Sequence, residues 1–306
     1  MKNWFEPIDM KTLSYSVLFV VASLATDAQS FEKLSKLSQP EFEAYSSKGY
    51  EQDAVGIAQR LAQALHYHET LLGFRPTITL LVLSQADWST YTSFPVYGMP
   101  HYNNEKTLIV AIEDNPFWQS FIPPLDKLPT ELASQIKKAY AVNGKLTMQP
   151  FFDLLAIHEL GHAFHQQAGL TMQRLWMGEL FCNIFLHTYV AEQEPESLPA
   201  LTVFPNMVVA AGAKEYTYNR LRDIEEHYDE IGQQHPKNYG WFQCRWHAGA
   251  AKIYDAGGKE VIVKLWKALK EQNEKLSDDA FIGFLETKTH KSLADLIKYW
   301  DKETKF

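Results

Sequence analysis

The chain of 306 residues is long enough for one large domain or two small ones, and its 46% hydrophobic and 22% charged residues are typical of a soluble globular protein. Its formal net charge at pH 7 is -8 and no block of lysine or arginine stands out, so the charge pattern disfavours a nucleic-acid-binding role. The two cysteines, Cys182 and Cys244, are too few for a disulfide framework. A single disulfide between them is an alternative that the sequence does not decide.

The N-terminus has the pattern of a secretory signal peptide. Lys11 precedes an apolar stretch at 15–25, and a small-x-small motif follows at 26–28. Because the apolar stretch has about 11 residues and a membrane-spanning helix needs about 20, we predict no permanent membrane span.

We expect the signal peptide to cover residues 1–28, with translation from Met10 or from Met1, cleavage after Ala28 and a mature chain from Gln29. A short N-terminal hydrophobic helix is the alternative interpretation. A cleaved signal peptide implies that the protein is secreted or periplasmic.

Between the signal peptide and residue 149, the pattern alternates between helix and strand. The predicted elements are a helix at 50–72, a strand at 77–84, a short helix capped by Ser84 that continues to Tyr91, a strand at 107–112, an irregular connection at 113–130, a helix at about 130–142 and a turn at Asn143-Gly144. Residues 29–149 are therefore expected to form a small α/β lobe with a short mixed sheet.

From Pro150 onward only helical periodicities occur, so residues 150–306 are expected to form a mainly helical lobe. The predicted fold class is α+β, with both lobes in a single domain over 29–306. The cleft between two such lobes is a common place for an active site.

An apolar stretch at the start of the helical lobe carries polar groups that a buried helix does not need. The segment FFDLLAIHELGHAFHQQAG, at 151–169, contains His158, Glu159, His162 and His165. Buried imidazoles and carboxylates cost several kcal/mol unless they are paired, hydrogen-bonded or bound to a metal.

The spacing of these residues is that of a zinc-binding helix. His158 and His162 are four residues apart and therefore lie on one helix face, where both rings reach the same ion. Glu159 is rotated by about 100° and lies beside that ion, where it can take a proton from zinc-activated water. The alternative is a cluster of hydrogen-bonded core histidines without a metal.

Catalytic zinc usually has three protein ligands and one open position. The metzincin pattern, with glycine three and histidine six residues after the second histidine, is excluded because His165 and Ala168 occupy those positions. Glu179, in the apolar segment RLWMGELFCNIFLHTYV, is the best candidate for the third ligand.

The predicted turn between the two helices supports this choice. If Gly169 ends the first helix and the second runs back antiparallel from Thr171 or Met172, His162 and Glu179 lie at similar heights.

Three further polar residues lie near these helix faces. Asn183, one turn after Glu179, either supports a ligand imidazole through a hydrogen bond or pairs locally. His165 and His187 are expected to have structural or supporting roles.

The segments HELGH at 158–162 and WMGELFCN at 176–183 resemble the gluzincin metallopeptidases, a group of peptidase MA-like proteins that includes thermolysin and the aminopeptidase N-type family. The resemblance implies a zincin-like fold and one Zn²⁺ per chain, held by His158, His162 and Glu179. It also implies that Glu159 is the general base and that the substrate is a peptide or protein.

A gluzincin also needs a tyrosine or histidine that stabilises the oxyanion of the tetrahedral intermediate. The segment 227–249 offers His227, Tyr228, His235, Tyr239 and His247. Tyr239 is preferred because it opens the helix that ends at Gly257-Gly258, and His235 is second. Strict family register would instead place Phe242 or Gln243 there.

The leading hypothesis is a secreted zinc metallopeptidase. The alternative is a catalytically impaired, zinc-containing binding or scaffold protein of the same fold. A purely structural helical domain is a third possibility, and it predicts no stoichiometric metal.

Overall fold

The two strands predicted at 77–84 and 107–112 form the centre of a five-stranded sheet in the computed structural model, which describes residues 31–38, 41–103 and 106–302. The predicted signal peptide at 1–28 lies outside the described residues. The strands are β1 (Ser35–Lys36), β2 (Glu43–Ser46), β3 (Thr79–Leu83), β4 (His101–Tyr102) and β5 (Thr107–Ala111).

The sheet is mixed, as predicted, in the order β1-β2-β3-β5-β4. Strands β2, β3 and β5 are parallel, whereas the edge strands β1 and β4 run antiparallel to their neighbours. All five residues of β5 are buried, as expected for a central parallel strand covered on both faces.

The helices of the first lobe largely follow the predictions. They are α1 (Glu51–Leu72), α2 (Gln85–Tyr91), α3 (Pro116–Gln119) and α4 (Thr130–Tyr140). Ser84 stands at the N-cap of α2, but its side chain makes no capping hydrogen bond. The predicted irregular connection contains the one-turn helix α3, because Pro116 favours a first helical position and Asn115 caps the Trp118 amide.

A small hairpin, β6 (Ala141–Val142) and β7 (Lys145–Leu146), joins the two lobes. The predicted turn at Asn143-Gly144 is confirmed, with φ values of 51° and 78°. Two successive positive φ values are those of a type I′ turn, which asparagine and glycine favour.

Every regular element after β7 in the described part of the chain is helical, so the predicted helical remainder is confirmed. The helices are α5 (Gln149–Gln167), α6 (Leu175–Gln193), α7 (Leu198–Ala211), α8 (Leu221–Glu226), α9 (Tyr228–Gln234), α10 (Pro236–Gly257), α11 (Glu260–Glu271), α12 (Asp278–Lys288) and α13 (Lys291–Tyr299).

Helix α6 is the centre of the helical lobe, and α5 and α10 pack against it. Its residues from Trp176 to Val190 are all buried, which explains why this stretch is apolar on every face. The pairs that meet across the two helices, Gly161 with Cys182 and His165 with Gly178, show that α6 runs antiparallel to α5, as predicted.

The turn between α5 and α6 differs from the prediction in where the second helix begins. Gly169, with a φ of 67°, ends the first helix as expected, but α6 starts at Leu175 rather than at Thr171 or Met172. The intervening loop is fixed by contacts with a distant segment: Gln173 Nε2 donates to the Glu274 carbonyl and Arg174 pairs with Asp278. These tertiary contacts hold the loop in an extended form.

The C-terminal end of α5 is anchored to the sheet by one side chain. Gln167 Oε1 accepts from the Thr77 amide at 2.9 Å, and its Nε2 donates to the Thr77 carbonyl at 2.7 Å and to the Tyr102 hydroxyl at 2.8 Å. Helix α5 is thereby held beside the edge strand β4. Within the described residues, no helix has both the length and the hydropathy that a bilayer span requires.

Candidate metal centre

The two histidines of the HELGH motif converge on the carboxylate of Glu179. His158 Nε2 lies 3.2 Å from Glu179 Oε2, and His162 Nε2 lies 3.7 Å from Glu179 Oε1. His158 and Glu179 are buried, with 6% and 8% of their surface exposed. The geometry expected from the helical spacing and the antiparallel return is therefore present in the fold.

These separations are close to those between the ligands of one tetrahedral zinc ion. With bonds of about 2.0 to 2.2 Å, nitrogen and oxygen ligands of tetrahedral zinc lie about 3.3 to 3.6 Å from one another. The separation of 3.2 Å to Oε2 is just below that range, and the separation of 3.7 Å to Oε1 is just above it. Two imidazoles and one carboxylate are also the donor set that catalytic zinc sites commonly use.

Cys182 is a second potential donor that the sequence analysis did not consider for this site. Its sulfur and ring nitrogens of His158 and His162 lie within 4.8 Å of one another. Burial, and then the charges of Glu179 and Glu159, raise the pKa of the Cys182 thiol well above its ordinary value, which favours the neutral, weakly ligating form.

The packing of Cys182 also makes it the poorer third ligand. It lies at the crossing of α5 and α6, where a Cβ on Gly161 would come within 3.0 Å of its sulfur. The sulfur therefore fills the contact between the helices, whereas both oxygens of Glu179 face the imidazoles.

The contact between His158 and Glu179 shifts the pKa of the two partners in opposite directions. Burial lowers the pKa of His158, but the hydrogen bond and charge of Glu179 and the charge of Glu159 outweigh it, so the pKa is raised. Burial raises the pKa of Glu179, but the two histidines and Gln243 outweigh it and hold the pKa well below its usual range. A metal replaces a proton when it binds such a pair.

His165 supports the second histidine of the motif. Its Nε2 lies 3.1 Å from His162 Nδ1, which leaves His162 Nε2 directed at Glu179. Burial, and then the neighbouring His162, lower the pKa of His165 to about 3, so the ring is neutral. This is the arrangement expected for a group that fixes the orientation of a ligand imidazole.

Asn183 lies beside the first histidine of the motif. Its Nδ2 donates to the Glu179 carbonyl at 2.9 Å and to Gln243 Oε1 at 3.3 Å. Asn183 Oδ1 and His158 Nδ1 are both buried and have no hydrogen-bond partner among the described residues, and Asn183 is among the groups that raise the pKa of His158. His187, in contrast, packs against the ring of Tyr254.

Glu159 lies next to the candidate ligands and is itself unpaired. Only 9% of its surface is exposed, and it accepts no hydrogen bond from the described part of the chain. Its charge adds to the effect of Glu179 in raising the pKa of His158 and, after burial and Glu179, that of Tyr239. Burial lowers the pKa of His101 on β4, and the charge of Glu159 opposes that shift.

Two phenol groups approach the site from α9 and α10. The Tyr228 hydroxyl donates to Glu179 Oε1 at 3.0 Å and lies 3.3 Å from the Tyr239 hydroxyl. Burial, and then the charge of Glu179, raise the pKa of both phenols, so both are neutral. Tyr239 thus belongs to the cluster, but Tyr228 is the one that contacts the carboxylate.

The second-choice histidine lies outside the cluster. The His235 side chain is 39% exposed and lies 3.8 Å from Glu230, because α9 ends before it and turns it toward solvent. His227 is similarly exposed beside Glu230. His247 is buried against Phe151, and burial holds its pKa well below the ordinary value.

Gln243 is the cluster member whose role the sequence analysis missed. It was considered only as an alternative register for the oxyanion residue, yet its Nε2 donates to Glu179 Oε2 and to the Tyr239 hydroxyl, both at 2.8 Å. The available signal was its position one helical turn after Tyr239, which puts both side chains on one face of α10.

The sequence matches no protein-family model and no curated protein. The gluzincin hypothesis therefore depends on the two short motifs and on the geometry around Glu179.

Proposed function

We propose that this protein is a zinc-dependent metallopeptidase of the gluzincin type. The observation that carries the proposal is the approach of both imidazole Nε2 atoms, at 3.2 and 3.7 Å, to one buried carboxylate. Glu159, which accepts no hydrogen bond within the described residues, follows His158 on the same helix. Ligands and base thus occur together, as metal-assisted hydrolysis requires.

Zinc, when bound by His158, His162 and Glu179, would polarise the scissile carbonyl and lower the pKa of water. Glu159 accepts a proton from the attacking water while the water oxygen forms a bond to the carbonyl carbon. Glu159 then delivers that proton to the amine as the carbon–nitrogen bond breaks, which regenerates the carboxylate. The hydroxyl of Tyr239 donates a hydrogen bond to the oxyanion that forms in between.

The edge strand β4 supports a peptide as the substrate. Within the described residues it lies at the end of the sheet, where it pairs with β5 and contacts α5, the helix that carries Glu159. An extended peptide can add to such an edge through main-chain hydrogen bonds. The ring nitrogens of His101 on this strand are already paired with the Thr92 hydroxyl and the Met99 carbonyl.

The first test is elemental analysis of the purified protein beside the His162→Ala and Glu179→Ala variants. The proposal predicts one zinc per chain in the wild type and a weakened zinc content in both variants. A folded wild type that neither contains zinc nor takes it up would overturn the proposal and favour the purely structural alternative.

The second test separates metal binding from turnover. Glu159→Gln is expected to retain zinc and to lose hydrolysis of a broad peptide library, because the amide cannot accept the proton. Full turnover in Glu159→Gln would contradict the assignment of the base. Zinc without hydrolysis in the wild type would favour the impaired, zinc-containing scaffold.

A further inference from the structure

The side of Glu179 that faces away from the histidines is closed by a ring of hydrogen bonds. Tyr228 donates to Oε1 at 3.0 Å, and Gln243 Nε2 donates to Oε2 at 2.8 Å. The ring is completed by Tyr239, whose hydroxyl lies 3.3 Å from that of Tyr228 and 2.8 Å from Gln243 Nε2. The carboxylate, two phenols and one amide thus form a cycle.

The direction of each hydrogen bond in the cycle follows from the chemistry of its members. Asn183 Nδ2 donates to Gln243 Oε1 at 3.3 Å, which fixes the amide orientation of Gln243 with Nε2 toward the carboxylate. Both hydrogens of that Nε2 are then used, one on Glu179 and one on the Tyr239 oxygen. An ionised carboxylate only accepts hydrogen bonds, so the hydroxyl of Tyr228 must donate its hydrogen bond to Glu179.

Tyr239 is consequently the one phenol whose proton is not held by the carboxylate. Its oxygen accepts from Gln243, so its own O–H is directed either at the Tyr228 oxygen or at an incoming group. Tyr228 cannot serve in this way without releasing Glu179 Oε1. The ring therefore assigns different hydrogen-bonding roles to the two tyrosines.

We propose that Gln243 is a positioning residue of the metal centre, one that orients the Glu179 carboxylate toward both imidazoles and also directs the Tyr239 hydroxyl as a donor to substrate. This inference rests on the proposed function, because it assigns Glu179 to the metal and Tyr239 to the oxyanion. Gln243 touches neither the metal ligand nitrogens nor the reacting atoms, so it acts through these two side chains.

The burial of Glu179 explains why one amide has this effect. A buried carboxylate that loses a charge-assisted donor is left with an unsatisfied lone pair, and it rotates to find another partner. Rotation removes the simultaneous approach to His158 and His162. Groups that hold a metal ligand in this way typically change metal affinity by about 10- to 100-fold when they are removed.

The test is zinc affinity, measured by competition with a chromophoric chelator, of the Gln243→Met variant of the full-length protein. Methionine has a similar length and no donor, and Gln243→Asn, which shortens the amide by one methylene, is the second variant in case the first does not fold. Both are expected to raise the zinc dissociation constant by about 10- to 100-fold. Gln234→Met, an exposed glutamine on α9, is the matched control and should leave it unchanged.

A double-mutant comparison tests whether Gln243 acts through Glu179. In the Glu179→Ala background, Gln243→Met should change the zinc dissociation constant by less than about twofold, because the group that it orients is gone. An equal loss in both backgrounds would show a general effect on the fold and would overturn the proposal. Once a peptide that the wild type cleaves has been identified, Gln243→Met should lower kcat for that peptide and leave KM nearly unchanged.

The outcomes separate this inference from the proposed function. A wild type that binds zinc, together with folded Gln243 variants of unchanged affinity, would overturn the positioning role and leave the metal centre intact. A wild type that binds no zinc would overturn both.

Discussion

His165 Nε2 lies 3.1 Å from His162 Nδ1, and both side chains are on the same face of α5 one turn apart. The contact fixes which nitrogen of His162 faces Glu179. Since His165 stays neutral in its buried position, it can support the ligand imidazole without adding a competing charge.

We predict that His165→Phe weakens zinc binding by about tenfold and leaves the protein folded. Phenylalanine preserves the aromatic contact with Phe181 but removes the nitrogen partner of His162. Chelator competition and thermal unfolding of the metal-free protein are the measurements. Equal zinc affinity in both proteins would show that His162 needs no such partner.

Removing the hydroxyl of Tyr239 and removing that of Tyr228 are predicted to affect different properties, turnover in the first case and zinc binding in the second. Tyr239→Phe should lower kcat by about 10²- to 10³-fold with zinc content unchanged, because the donor to the oxyanion is lost while Gln243 and Tyr228 keep their hydrogen bonds to Glu179. Tyr228→Phe should instead weaken zinc binding, because Glu179 Oε1 loses its donor. Steady-state kinetics on a cleaved peptide and zinc titrations measure the two effects, and the reverse pattern would exchange the two roles.

The crossing of α5 and α6 is predicted to tolerate no side chain at Gly161. A Cβ there would lie 3.0 Å from Cys182 Sγ and 3.2 Å from Cys182 Cα, so the buried helix α6 would have to shift to admit a side chain. Gly161→Val should lower the free energy of unfolding by more than about 2 kcal/mol.

A matched control for this prediction lies on α1. A Cβ on Gly56 would meet nothing within 4 Å, so Gly56→Val should change the free energy of unfolding by less than about 0.5 kcal/mol. Urea unfolding of the metal-free proteins measures both changes. Similar values for the two variants would contradict the close packing at the helix crossing.

The buried His187 is predicted to make the metal-free protein sensitive to acid. Burial lowers the pKa of His187 to about 4, although the charge of Asp255 opposes the shift. Tyr254 packs against the His187 ring, and His247 is the other titratable neighbour. Above about pH 6.5 both folded and unfolded chains keep this imidazole neutral. As the pH falls from about 6.5 to 4, the unfolded chain takes up a proton that the folded chain resists, so stability falls by up to about 3 kcal/mol.

His187→Leu should therefore reduce the difference in unfolding free energy between pH 7.5 and pH 4.5. Urea unfolding with a chelator present, at both pH values, is the measurement. His66→Gln, at an exposed position on α1, is the control and should behave as the wild type does. An unchanged acid sensitivity in His187→Leu would mean that His187 is protonated in the folded protein at low cost.

The groups whose positions depend on local geometry could be predicted from the sequence. Helical periodicity puts His158 and His162 on one face of α5, and an unexpected carboxylate in an apolar helix identifies Glu179. The central strands and most helix positions also follow from local patterns of hydrophobicity and from turn residues such as Asn143-Gly144.

The way in which helices from distant parts of the chain complete the site could not be predicted, because it depends on how they pack. The packing of α10 on α6 brings Gln243 and Tyr239 to Glu179. Tyr228, at the first residue of α9, contacts Glu179, whereas His235, directly after the last residue of α9, lies beside Glu230. The two-residue strands β1 and β4 are defined by their pairing with β2 and β5. They could not be predicted, because a segment of two residues is too short to show a hydrophobic periodicity. Periodicity in sequence reports the face of a single helix or strand, whereas contacts between elements depend on their packing, for which a single sequence carries no periodic signal.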